Sequence, residues 1–181
     1  MNGGDDPLPV ARGNAVLRRL AAPDLRAFQA YRSDPDLGRY QGWSAMSDAQ
    51  ALAFLNQMSV AALLQPGVWL QLGIVEAHNE SGLIGDIGLC LAADGLTAEV
   101  GFTLARHAQG RGLARDAVRA AVGLVFALTA ARSVRGTTDA RNTASVRLLE
   151  RIGMRRIAVA HAVFRGAPCV EWTYAIEPEG S

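Results

Sequence analysis

Gln109-Gly110-Arg111-Gly112-Leu113-Ala114 joins an apolar run, Ala98 to Leu104, to a stretch from Leu113 to about Leu128 in which Ala114, Ala117, Val118, Ala121, Val122 and Val125 recur at helical spacing. The unit reads as strand, glycine-rich turn, helix. At a helix start several backbone N–H groups lack intrahelical partners, and the peptide dipoles favour negative charge there. A turn of small residues leaves those donors open to a phosphate. Side chains at Gly112 or Ala114 would hold such a group away from the backbone, while Arg111 either adds a charge-assisted contact or points into solvent. A P-loop requires a Gly-Lys-Ser/Thr ending, and the dinucleotide fingerprint requires three spaced glycines in an early strand–helix–strand unit; neither is present. Alone, the turn predicts an anion site and nothing narrower.

Upstream of it, Val68 to Glu76, Leu83 to Leu91 and Ala98 to Leu104 are separated by His78-Asn79-Glu80-Ser81-Gly82 and Ala93-Asp94-Gly95, which predicts an antiparallel meander. Glycines 73, 85 and 88 within these runs point to bulges or close backbone approach. Further upstream, Ala15 to Arg19 reads as a short strand. Pro23-Asp24 opens a helix carrying Leu25, Phe28 and Tyr31, and Asp34-Pro35-Asp36 stops it. Ser47-Asp48-Ala49-Gln50 is a capping box ahead of a helix with Ala51, Phe54, Leu55 and Met58 on one face, and Gln65-Pro66-Gly67 ends that region.

Downstream, a strand is expected at Val134 to Thr138, then a helix from about Asn142 to Ile152 closed by Gly153. Strands Arg156 to Phe164 and Cys169 to Ile176 follow, joined by Arg165-Gly166-Ala167-Pro168. The order predicts an α+β fold: a loose arm over residues 1–13, one domain over 14–177 and a tail at 178–181.

Of the 181 residues, 50% are apolar and 19% charged, and the net charge is +1. That supports one domain with a sizeable core and no field suited to nucleic acid or a membrane surface. No stretch approaches the roughly 18 apolar residues of a membrane span. Met1 to Pro9 lacks the basic and apolar regions of a signal peptide, so cytoplasm is the default expectation. Cys90 and Cys169 are isolated at the edges of apolar runs and read as free thiols; no metal-ligand spacing is present.

Gln109, Gly112 and Ala114 match the Gln/Arg-x-x-Gly-x-Gly/Ala pattern of the GCN5-related N-acetyltransferase superfamily, in the strand-to-helix setting that superfamily requires. Asp139 to Met154, containing Asn142 and Ser145, resembles the Asn-x-x-Ser…Leu-x-x-Gly-Phe segment of its ribosomal-protein N-acetyltransferase branch, with Met154 in place of the aromatic. Leu83 to Leu89, Arg18-Arg19-Leu20 and Asp24-Leu25 extend the resemblance to residues 15–176.

The resemblance implies a mostly antiparallel sheet of about seven strands, splayed between the fourth and fifth and flanked by about four helices. It implies acetyl-CoA as co-substrate without a metal, and acyl transfer to a primary amine by direct attack in a ternary complex. In that setting Phe102, Thr103 and Leu104 offer backbone groups to pantetheine, and Gln109, Gly110, Arg111, Gly112, Leu113 and Ala114 hold the pyrophosphate. Asn142 caps its helix, contacts the coenzyme, or both; Ser145 either bonds back to a carbonyl or serves the departing sulfur. Glu99 is a base by position in an apolar stretch, although strand alternation equally turns it to solvent, and Glu171 is a second carboxylate. Tyr40 and Trp43, in a loop between helices, are expected to face the acceptor. The acceptor is a small-molecule, peptide or protein amine, with a homodimer left open. The competing readings are a catalytically silent acyl-CoA-binding sensor or partner subunit, and transfer from another donor such as succinyl-CoA.

Overall fold

In the computed structural model, which describes residues 6–178 apart from the side chains of Glu80 and Ser81, the apolar runs form an eight-stranded sheet. Strands β1 (Val10–Arg12), β2 (Ala15–Arg19), β3 (Trp69–Glu76), β4 (Asn79–Leu91) and β5 (Thr97–Leu104) lie side by side in chain order, each antiparallel to the next. Beyond β5 come β6 (Ser133–Asp139), then β8 (Ala167–Ile176), then β7 (Arg155–Phe164) at the edge. The β5–β6 pairing is parallel and short: Thr97, Ala98 and Glu99 oppose Ser133, Val134 and Arg135, and past Glu99 the two strands part. This is the splay expected between the strands at Ala98 and Val134.

The five helices are α1 (Leu25–Arg32), α2 (Pro35–Gly38), α3 (Asp48–Val60), α4 (Leu113–Leu128) and α5 (Thr143–Arg151). Of these, α2 is a single turn not anticipated from sequence. Asp34 lies outside the helical region and its Oδ1 accepts from the Asp36 N–H at 3.0 Å. Proline at the first helical position therefore stops α1 and starts α2. The predicted capping box forms: Gln50 N–H donates to Ser47 Oγ at 3.3 Å, and Ser47 N–H donates to Gln50 Oε1 at 2.9 Å.

Strand β1 corrects the picture of a loose arm over residues 1–13, and it accounts for the eighth strand; residues 1–5 lie outside the described part. A three-residue strand is too short to show a period, so its signal is tertiary. Gly13 has φ +56, and a Cβ there would lie 2.3 Å from Asp116 Oδ2. Glycine thus lets the Asp116 carboxylate accept from Asn14 N–H at 3.2 Å, tying the β1–β2 turn to the first turn of α4.

One face of the sheet, with Leu17, Leu72, Ile87, Leu89 and Val100, packs on the Ala117–Val118–Ala121–Val125 stripe of α4. A second cluster forms where Phe28 and Tyr31 of α1 meet Ala51, Leu55 and Met58 of α3 and Leu83 of β4. The close approach expected at Gly85 is present: a Cβ would fall 2.2 Å from the Thr103 carbonyl oxygen, so only glycine lets β4 lie against β5 there. Cys90 and Cys169 are free thiols. No helix among the described residues is long and apolar enough to cross a membrane.

Candidate active site

The turn after β5 opens directly onto the splay. Gly110 and Gly112 both adopt positive φ, +75 and +81, and Gly112 is the N-cap of α4, its carbonyl accepting from Asp116 N–H at 3.1 Å. Left-handed backbone at these two positions folds the turn so that the helix starts at its end. The amides of the first turn of α4 then face the cleft without intrahelical partners. Gln109 acts differently from a phosphate contact: its Nε2 donates to the Leu104 carbonyl at 2.9 Å and ties the turn to the strand end.

Ala105 N–H donates to the Ile84 carbonyl at 2.8 Å, which turns the groups of residue 105 toward β4. Alternation therefore turns those of Phe102 and Leu104 the other way, toward β6, which has already diverged. Strand-like acceptors are left facing the gap. Both already accept from side chains: Gln41 Nε2 donates to the Phe102 carbonyl at 3.1 Å, and Gln109 Nε2 holds that of Leu104.

These elements enclose a cleft of about 560 Å³, within the usual range for small-molecule sites. Phe102, Thr103, Leu104, Gln109, Gly110, Gly112, Leu113, Ala114, Asn142, Ser145 and Tyr40 all line it, so the structure brings together most residues named from sequence. Tyr40, Gln41, Phe102, Asn142 and Ser145 also border a chamber of about 50 Å³ between the parted strands, where Val100 and Gly101 face Gly136, Thr137 and Thr138. The two spaces meet at these five residues.

Asn142 caps α5, its Oδ1 accepting from Ser145 N–H at 3.3 Å. Capping and cleft-lining are the same placement. Ser145 is half-buried, and its hydroxyl has no hydrogen-bond partner among the described residues. The usual back-bond of a helical serine to a preceding carbonyl is not made, so the hydroxyl is available to the cleft.

Four named residues, Arg111, Trp43, Glu99 and Glu171, line neither space. The Arg111 guanidinium turns outward to Glu76, with Nη1 to Oε1 at 2.8 Å, and this pairing holds the Glu76 carboxyl below its ordinary range. Trp43 supports the loop from behind: its ring lies 4.7 Å from the Arg32 guanidinium, and its Nε1 donates to Thr103 Oγ1 at 3.4 Å. Glu99 sits exposed at the last paired position of β5, beside Arg135 of β6. Crowding by protein, and secondarily the Glu171 charge, raises its carboxyl above the ordinary range.

Gln41, in the loop expected to face the acceptor, also lines the cleft; sequence reading missed Ala144, Arg147, Leu148 and Arg151 of α5 and Arg115 of α4. The α5 set was within reach, because 144, 147, 148 and 151 share a helical face next to Ser145. At the mouth, Arg106 Nη2 bonds Asp34 Oδ1 at 2.8 Å and Asp36 Oδ2 at 2.7 Å, pinning α2 to the turn after β5. No group of three or more potential metal ligands occurs among the described residues.

A model of the acetyltransferase (GNAT) domain matches residues 14–155. The uncharacterised N-acetyltransferase YoaA of Bacillus subtilis is 29% identical over 146 residues, 80% of this chain and 81% of its own. Among solved structures, an acetyltransferase (GNAT family) from Bacillus anthracis superposes with a TM-score of 0.81 at 22% identity, covering 94% of this chain and 98% of that one. Spermidine N-acetyltransferase from Vibrio cholerae, in complex with CoA and spermine, gives 0.76 at 19% identity, covering 91% and 95%. The residues present suit the co-substrate of that family: open amides at a helix start for a diphosphate, and a strand edge facing the gap for an amide-bearing arm. The chain belongs to the GNAT acetyltransferase family and is an N-acetyltransferase that uses acetyl-CoA.

Proposed function

We propose that the chain acetylates a primary amine by direct attack in a ternary complex, with a peptide or protein N-terminal amine as the favoured acceptor. The observation that carries the direct route is the continuous cleft from the open amides of α4, past the Phe102 and Leu104 carbonyls, to the Ser145 hydroxyl. Acetyl-CoA supplies an activated thioester carbonyl. The amides at 110–114 hold its diphosphate, and the β5 edge orients its arm. Ser145 then lies where the sulfur departs and stabilises the leaving thiolate by a hydrogen bond; where it passes on its hydroxyl proton, it regains one from solvent. The incoming amine must lose a proton as the C–N bond forms and the C–S bond breaks. Glu99 takes it through solvent, since it does not line the chamber itself. Neither cysteine is among the lining residues, which supports transfer without an acyl-enzyme.

The acceptor preference rests on the resemblance of Asp139 to Met154 to the ribosomal-protein branch. A polyamine is the alternative, suggested by the similarity to spermidine N-acetyltransferase. Isothermal titration with acetyl-CoA, followed by free-thiol release over a panel of peptides, amino acids and polyamines, tests the whole reading. Thiol release with N-terminal peptides supports it. Release with polyamines alone overturns the acceptor, and tight binding without release to any amine points instead to a sensor or partner subunit.

A further inference from the structure

Four arginines line the cleft, more positive charge than the diphosphate cradle explains, and half of it is already neutralised. Arg106 is spent on Asp34 and Asp36. Arg115 is held by the Asp116 carboxylate through Nε at 3.0 Å and Nη2 at 2.9 Å. Arg147 and Arg151 of α5 are different. Both line the cleft, and neither guanidinium has a hydrogen-bond or ion-pair partner among the described residues. They stand one helical turn apart on the same face, an arrangement of like charges that destabilises a helix when nothing lies between them. The acidic residue between them does not relieve it, because Glu150 Oε1 accepts from the Tyr174 hydroxyl at 3.1 Å on the other side of α5. Arg119 is tied to the end of the same helix, donating to the Arg151 carbonyl at 3.4 Å.

Position along α5 says what the pair meets. Ser145, near the N-terminal end, belongs to the junction with the small chamber, where the reacting atoms are placed. Arg151 ends the helix about 9 Å further along its axis, at 1.5 Å per residue. It borders only the large cleft, which Gly110 and Gly112 also line. A group gripped there is remote from the thioester and close to the diphosphate cradle. The part of coenzyme A with that chemistry is its ribose 3′-phosphate, a monoester carrying up to two charges that the α4 amides, occupied by the diphosphate, do not serve.

We propose that Arg147 and Arg151 form the subsite for the 3′-phosphate of coenzyme A, so that the enzyme discriminates CoA thioesters from their 3′-dephospho counterparts. This rests on the acetyl-CoA reading above. Guanidinium–phosphate bonds are charge-assisted and bidentate, and lysine replaces the charge but not the fork.

Isothermal titration of the intact chain with CoA and with 3′-dephospho-CoA tests it. CoA is expected to bind the wild type at least about tenfold more tightly. That ratio should shrink as pH falls through about 6, where the monoester loses its second charge. Arg147→Ala and Arg151→Ala should each narrow the ratio while leaving the dephospho-CoA affinity unchanged, and Arg147→Lys should restore part of it. Equal binding of the two ligands by the wild type overturns the assignment, as do variants that weaken both ligands alike. If neither ligand binds the wild type, the acetyl-CoA reading falls and this one with it.

Discussion

Ser145 and Glu99 separate two kinds of evidence at the scale of single residues. The Ser145 hydroxyl is unpartnered at the meeting point of two spaces. Ser145→Ala should therefore lower kcat about 10- to 100-fold, toward the lower end of what a positioned proton donor contributes, with acetyl-CoA affinity within about twofold. Steady-state kinetics beside titration calorimetry reads both, and an unchanged kcat removes the serine from the mechanism. For Glu99 the prediction is a pH profile. Its carboxyl is raised by surrounding protein first and Glu171 second, so it takes up its proton at a higher pH than an ordinary glutamate. If it accepts the amine's proton, activity should fall as pH drops through that raised value, and Glu99→Gln should lose this limb together with most of the rate. A variant that keeps the same acidic limb assigns it to another group. Its residue type and strand pointed to a base, but whether an exposed strand residue faces the chamber depends on how β6 leaves β5.

Among the elements, α4 was the most legible: the periodicity predicts Leu113 to about Leu128, and the helix spans Leu113–Leu128. The reason is local, an apolar stripe with a glycine N-cap in front of it. By contrast β1 and α2, at three and four residues, are too short to carry a period and exist through contacts made elsewhere. The turn before α4 invites a direct test. At Gly112, φ is +81 and the nearest atom to an added Cβ is Arg115 Nη2 at 3.5 Å. Gly112→Ala should cost about 1–2 kcal/mol through left-handed backbone strain. It should also weaken acetyl-CoA binding about tenfold by placing a methyl on the phosphate path. Gly85→Ala acts on the other wall. With a Cβ only 2.2 Å from the Thr103 carbonyl oxygen, β4 and β5 must shift apart, at a cost of about 1–3 kcal/mol in urea unfolding. An unfolding midpoint equal to wild type would show that the strands are not held as closely as described.

At the scale of the whole molecule, one buried polar cluster joins the layers behind the site. Asp86, 1% exposed, accepts from Tyr31 Oη at 2.6 Å, Arg32 Nη2 at 2.8 Å and Gln71 Nε2 at 3.0 Å. The Arg32 guanidinium in turn lies near the Phe28 and Trp43 rings, at 4.9 and 4.7 Å. Burial, then the Asp86 charge, push the Tyr31 hydroxyl well above its ordinary range, so it stays a neutral donor. Asp86→Ala leaves the Arg32 charge buried and unpaired, and should cost about 3–5 kcal/mol in denaturant unfolding. A loss below about 1 kcal/mol would mean that water replaces the carboxylate freely. None of these partners announces the others in the chain, since Tyr31 and Asp86 are 55 residues apart. The same division runs through the protein. Helix faces, caps, meander turns and the glycine turn at 109–114 are set by neighbours a few residues away, so the sequence by itself determined the order of the longer elements and the turn that opens α4. Which polar groups share one cleft depends on where a parallel pairing three residues long gives way and the strands part. That geometry, decided by packing between segments distant in sequence, left Glu99 at the last paired position and brought Gln41, Arg147 and Arg151 to the cleft.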